Sequence, residues 1–84
     1  MTPVMRKTVS RLRITPRINA HLFAHIEWPA ACRKSKQASQ GAIGNATQRL
    51  QAAAKAGYAH VAFEHLQPVY EISARGRDAL AGRT

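Results

Sequence analysis

Residues 45–80 read NATQRLQAAAKAGYAHVAFEHLQPVYEISARGRDAL, and their order decides the fold. Alanine, glutamine, arginine and lysine dominate 46–56, a strongly helix-forming composition. Asn45 stands before that run with Gln48 three residues on, the spacing of a capping box in which each side chain satisfies a free end of the helix. Gly57 supplies the left-handed conformation that stops a helix. Tyr58, Val61 and Phe63 are then candidate core residues on a strand over 58–63, Leu66-Gln67-Pro68 marks a turn, and Val69, Tyr70 and Ile72 form a return strand. A lone two-stranded hairpin is not stable in water, so this one must pack on helices. Ser73 caps a last short helix in which Leu80 packs back and Gly76 is expected to weaken the first turn.

On a helical wheel, Ala46, Leu50, Ala53, Ala54 and Gly57 cluster on one side of the 46–56 helix. Asn45, Gln48, Gln51, Ala52 and Lys55 point the other way, with Arg49 on the flank. The inner face is small and invites close neighbours. The outer face is rich in amides and cations and carries no acid. Amides and arginine are the groups that read adenine and guanine edges in the major groove, whereas an ordinary solvated face mixes charges of both signs.

Upstream, Gly41-Ala-Ile-Gly44 reads as a turn, because two glycines sit three apart. Residues 30–41 hold one short helix. It either starts after a Ser35 cap and covers about 36–41, or starts directly at Pro29. Lys36 belongs to the basic cluster there, with Arg33 and Lys34. Thr15-Pro16 reads as the start of a helix over about 16–27, with Ile18, Leu22 and Ile26 as its apolar stripe and Trp28-Pro29 as its end. Trp28 packs on the core edge. Residues 1–14 carry Arg6, Lys7, Arg11 and Arg13 and no acid, and read as a basic N-terminal arm ahead of one domain over 15–84.

The whole chain has 84 residues, 13 Lys+Arg against four acids, and a net charge of +9. Such a balance favours a polyanionic partner. The N-terminus lacks the apolar segment of a secretory signal, and no run approaches the length needed to span a bilayer. The single cysteine, Cys32, cannot form an internal disulfide, so a cytoplasmic setting is expected. His21 and His25 have a zinc-compatible spacing but lack a third ligand, so no metal or other cofactor is expected. Glu27, Glu64, Glu71 and Asp78 are scattered, and no serine or cysteine stands with a histidine and an orienting acid, so an enzyme is not expected. Nor is a small-molecule ligand evident.

RLQAAAKAGYAHV resembles the bacterial winged-helix signature in which Arg-Leu opens the second turn of the recognition helix and Gly-Tyr leads into the wing. PVYEISARGRDAL resembles the returning wing strand and the "Thr-x-x-Gly-Arg-x-x-Leu" ending, with Ser73 in the threonine's place and Gly76, Arg77 and Leu80 matching. Two positions depart from the pattern: Ala53 replaces a large apolar residue, and the second helix lacks its Leu-Ala pair. The resemblance implies an α+β winged helix: a three-helix bundle with a helix-turn-helix, a C-terminal hairpin wing and a short final helix. It implies double-stranded DNA as partner and a role in transcription regulation. By position, Asn45, Thr47, Gln48, Arg49 and Gln51 face DNA, Lys55 and Lys36 add cations, and His65 and Gln67 sit at the wing tip. Val4, Met5, Val9 and Leu12 have no evident place in the core, so a homodimer through residues 1–27 is a further expectation. The alternative from another class is a winged helix that docks an acidic protein through the same face.

Overall fold

A computed structural model describes residues 1–34 and 36–82, together with their side chains except those of residues 33–39. The architecture is α+β. In order come α1 (Pro3–Ile14), α2 (Ala20–Glu27), α3 (Pro29–Lys34), α4 (Lys36–Lys55), β1 (Ala59–Glu64), β2 (Gln67–Ile72) and α5 (Ala74–Leu80). The helix α4 is the spine: α1, α2, α3 and β1 all pack on it. No helix among the described residues is long and apolar enough to cross a membrane.

The first difference from the sequence reading is α1. Residues 3–14 form a helix with a place in the core, not an arm. Thr2 caps it by accepting from the Met5 amide at 3.1 Å, and Pro3 takes an early position where no amide hydrogen is needed. Thr8, Val9 and Leu12 are buried, with Met5 packed behind them, while Arg6, Lys7 and Arg13 face solvent. The Thr8 hydroxyl donates to the Val4 carbonyl at 3.0 Å, which satisfies its buried oxygen. Burial of Val9 and Leu12 removes them from any intermolecular surface, so the expected dimer contact through residues 1–27 loses its apolar centre.

The second difference lies between the first two helices. Thr15-Pro16 starts no helix. Arg17 takes a left-handed φ of 59°, and Ile18 pairs with Tyr70 as an isolated bridge. Its backbone donates to the Tyr70 carbonyl at 2.9 Å and accepts from the Tyr70 amide at 2.8 Å. The helix begins only at Ala20, where Asn19 caps it by accepting from the Leu22 amide at 2.8 Å. Ile18 therefore belongs to the sheet. Phe23 and Ala24 are the buried residues of α2, and Leu22 is exposed. As read from the sequence, α2 ends before Pro29 and Trp28 packs at the core edge, its ring centroid 6.1 Å from that of Phe23 in an edge arrangement.

α3 begins at Pro29, the second of the two readings of that stretch. The Ser35 cap lies outside the described residues. The expected turn at Gly41–Gly44 and the cap at Asn45 are both absent: α4 runs through them as one 20-residue helix. Neither glycine has a positive φ. The stripe that holds the helix together is Ala42, Ala46, Leu50 and Ala53, buried along one continuous face that crosses the glycine pair.

At the far end the Gly57 stop and the Ser73 cap form as read, but Val61 and Phe63 are exposed rather than core, because β1 is the open edge of a two-stranded sheet. Gly57, at φ 87°, closes α4 with two reverse bonds, from its own amide to Ala54 and from the Tyr58 amide to Ala53. β1 and β2 pair antiparallel, Ala59 against Ile72 through Glu64 against Gln67. The turn is at His65-Leu66, both left-handed, one step earlier than the proline suggested. Pro68 lies inside β2 opposite Phe63. Ser73 caps α5 by accepting from the Gly76 amide at 3.0 Å, and its hydroxyl donates to the Gly57 carbonyl at 2.6 Å. Gly76 does not weaken this end. It is buried, and a Cβ there would lie 2.3 Å from the Tyr58 carbonyl oxygen. α5 is seated against the start of the hairpin because residue 76 has no side chain.

Candidate nucleic-acid interface

The burial stripe of α4 leaves the opposite face outward. Gly41, Gly44, Asn45, Gln48, Gln51, Ala52 and Lys55 are all exposed and lie together on one face of the helix. No acid occurs on α4. The structure flanks this stripe with two walls. On one side, Gln51 and Ala54 share a cleft with Val61, Phe63, Pro68 and Tyr70 of the hairpin. Thr47 lines a second hollow with Gln67, Pro68 and the α2 residues Ala20 and His21. On the other side, Gln48, Arg49 and Ala52 share a cleft of about 230 Å³ with Thr2, Val4, Met5 and Thr8.

Asn45, Gln48, Gln51 and Lys55 thus share one open face, as expected. Two of the expected contacts are engaged inside the chain. The Thr47 hydroxyl donates to the Ile43 carbonyl at 2.9 Å, the back-bond typical of a mid-helix threonine. Arg49 is half-buried, with its guanidinium 4.8 Å from the Trp28 ring centroid. A stacked guanidinium keeps its planar fork of donors, so Arg49 is fixed in place on the flank rather than free on the face. Gln67 is brought to the side of α4 near Thr47, and His65 stands at the tip in the left-handed turn. Lys36 lies in the first turn of α4, but its side chain is outside the described residues.

The first turn of α1 is the wall that sequence reading missed. Its signal is Thr2-Pro3, a capping pair of the same type as Thr15-Pro16. Burial distinguishes the two: Val9 and Leu12 follow the first pair at helical spacing and reach the core.

Three of the four acids are engaged in ion pairs. Glu27 pairs with Arg11 at 3.0 Å, and Arg17 bridges Glu64 and Glu71. Among the described residues no group of three or more His, Cys, Asp or Glu side chains is placed to hold a metal ion, and His21 and His25 are both exposed. Burial raises the Tyr70 phenol above its ordinary value of 10.0. No protein-family model, curated protein or solved structure matches this chain.

Proposed function

We propose that the chain is a winged-helix protein that binds double-stranded DNA sequence-specifically and acts as a small transcription regulator, with α4 as the recognition helix and the β1–β2 hairpin as the wing. The observation that carries this reading is the acid-free, amide-bearing stripe of α4, exposed between two walls on a chain of net charge +9. The element order supports it too: a helix, a single bridging residue at Ile18, two further helical segments, the long α4 and then the hairpin. Gln48 and Gln51 have the amides suited to adenine edges, and Lys55 and the flanking Arg49 have the charge suited to phosphate or guanine.

The test is a titration of the full chain against mixed genomic fragments, with sequencing of the retained pool. Enrichment of one site supports the proposal. Affinity should fall as salt rises, with a logarithmic slope of about 0.9 per phosphate contact. Gln48→Ala should blunt sequence preference, whereas Lys55→Ala should weaken all fragments alike. Salt-independent binding, or binding without enrichment, would overturn it.

A second reading has its own observation. Gly41, Gly44 and Ala52 make much of the open stripe flat, and a Cβ at either glycine would meet nothing of this chain within 4 Å. A flat helical face suits an acidic protein surface as well as a groove. A stoichiometric acidic protein recovered by this face, with no DNA enrichment, would favour that partner.

A further inference from the structure

The outer edge of β1 is an unpaired strand edge with apolar side chains. β2 has neighbours on both sides, β1 on one and Ile18 on the other, whereas among the described residues nothing pairs with the far side of β1. On β1, Val61 is 48% exposed and Phe63 75% exposed, and the strand carries neither lysine nor proline. Proteins usually blunt such an edge with charge, proline or a cover, because it is a template for a further strand.

The direction of its backbone groups follows from the hairpin. Tyr70 gives both its N–H and its C=O to Ile18, so neither faces β1. Tyr70 and its partner Val61 are therefore a non-hydrogen-bonded pair. By alternation Phe63 and Pro68 are another, which is why a proline is tolerated inside β2. The N–H and C=O groups of Val61 and Phe63 consequently point to the open edge, and those of Ala62 point to β2.

We propose that this edge is the homodimer interface: two copies of the chain pair β1 against β1, antiparallel, about a two-fold axis at Ala62. In that register Val61 stands opposite Phe63 of the second copy, and each such pair exchanges both of its backbone bonds. The side chains match as well. Val61 and Phe63 form aromatic–aliphatic pairs on one face, and His60 stands opposite Glu64 of the second copy on the other. A two-fold axis at Val61 or at Phe63 would also satisfy the backbone, but it sets His60 or Glu64 against Ala62. Any register displaced by one residue asks Ala62 for groups already given to β2. The sequence from His60 to Glu64 is complementary to itself only about its centre, and the two-fold closes the assembly at two copies. This interface rests on strand geometry alone and stands or falls independently of DNA binding.

Sedimentation of the full chain from micromolar to several hundred micromolar concentration should show a monomer–dimer equilibrium. Phe63→Lys and His60→Glu should each weaken it by about tenfold, since each acts at two symmetric pairs. In a Cys32→Ala background, Ala62→Cys should form a disulfide-linked dimer in a glutathione buffer, because opposed non-bonded positions bring the two Cβ atoms within disulfide reach. His60→Cys, whose two copies stand about 13 Å apart along the strands, should not. This comparison does not depend on weakening the strand. A folded chain that remains monomeric throughout, growth beyond a dimer, or equal cross-linking at both positions would overturn the proposal.

Discussion

Replacing Gly76 with alanine should destabilise the protein, although alanine is the better helix former. Residue 76 lies in the first turn of α5, where propensity alone favours alanine by about 1 kcal/mol. Against that gain stands the geometry: the added Cβ would lie 2.3 Å from the Tyr58 carbonyl oxygen and 2.9 Å from Ile72 Cγ1. The Ile72 side chain can turn aside. The Tyr58 carbonyl cannot, because it accepts the Ser73 amide at 3.0 Å and lies directly after the Gly57 stop. Relief requires α5 to lift from the hairpin, which strains the Ser73 bonds to Gly57 and Gly76. Overpacking of this kind costs about 1–3 kcal/mol. Because the contact is with backbone, the upper part of that range applies, and the net loss should be about 1–2 kcal/mol, a fall in Tm of about 5–15 °C.

Gly41→Ala and Gly44→Ala are the matched controls, and their sign should be opposite. Both glycines lie inside α4 with no neighbour within 4 Å of an added Cβ. Each substitution should stabilise by about 0.5–1 kcal/mol through helix propensity and a less free unfolded chain. Urea and thermal unfolding followed by circular dichroism would measure all three variants. A stabilising Gly76→Ala would show that α5 is not seated on Tyr58. A destabilising Gly41→Ala or Gly44→Ala would show a left-handed turn at that place and refute the continuous α4.

Leu50→Asp should abolish the cooperative transition: Leu50 is fully buried at the centre of the α4 stripe, an unpaired buried charge costs several kcal/mol, and domains hold only about 5–15 kcal/mol. A folded variant with a near-normal Tm would mean that the stripe is misassigned. Stability should also fall at alkaline pH through Tyr70. Its folded phenol titrates above the ordinary value of 10.0, so this contribution is intact below that value and is lost as pH rises through it toward the raised folded value. Tyr70→Phe should flatten that loss in urea titrations between neutral and strongly alkaline pH, and an unchanged pH dependence would count against the burial of the phenol.

Features fixed by neighbours in the chain were legible from the sequence, and features fixed by distant contacts were not. The Gly57 stop and the Ser73 cap each need only residues within one turn, and both form where the residue types place them. The hairpin's existence was legible, but its turn was not: Pro68 marks a turn by composition, yet its missing N–H matches a strand position whose amide has no partner in β1. Thr-Pro occurs twice, and only tertiary burial of Val9 and Leu12 makes the first the helix start. Glycines at 41 and 44 resemble a turn until Ala42 and Ala46 are seen to bury on either side of Ile43 and Gly44. In the candidate site, the outward direction of Asn45, Gln48, Gln51 and Lys55 followed from periodicity. The fixing of Arg49 on Trp28 required the fold, because those residues are far apart in the chain.

The distribution of charge follows the same division. The chain has four acids, and three of them are held by just two arginines, Arg11 with Glu27 and Arg17 with Glu64 and Glu71. Arg17 reaches both of its partners from a left-handed backbone beside Ile18, so the strand bridge that displaced the expected helix start also places this cation. Strand alternation puts Glu64 and Glu71 on the hairpin face opposite the one that carries Val61 and Phe63 toward α4. At physiological salt a charge is felt over about 8 Å, so the field above the α4 stripe is set by what lies beside it and not by the chain's total. Beside it are Lys55 and Arg49. Under the proposed reading, the small number of acids matters less than their engagement: three of the four are drawn into ion pairs with Arg11 and Arg17, and the cations beside the stripe are left to meet a phosphate backbone.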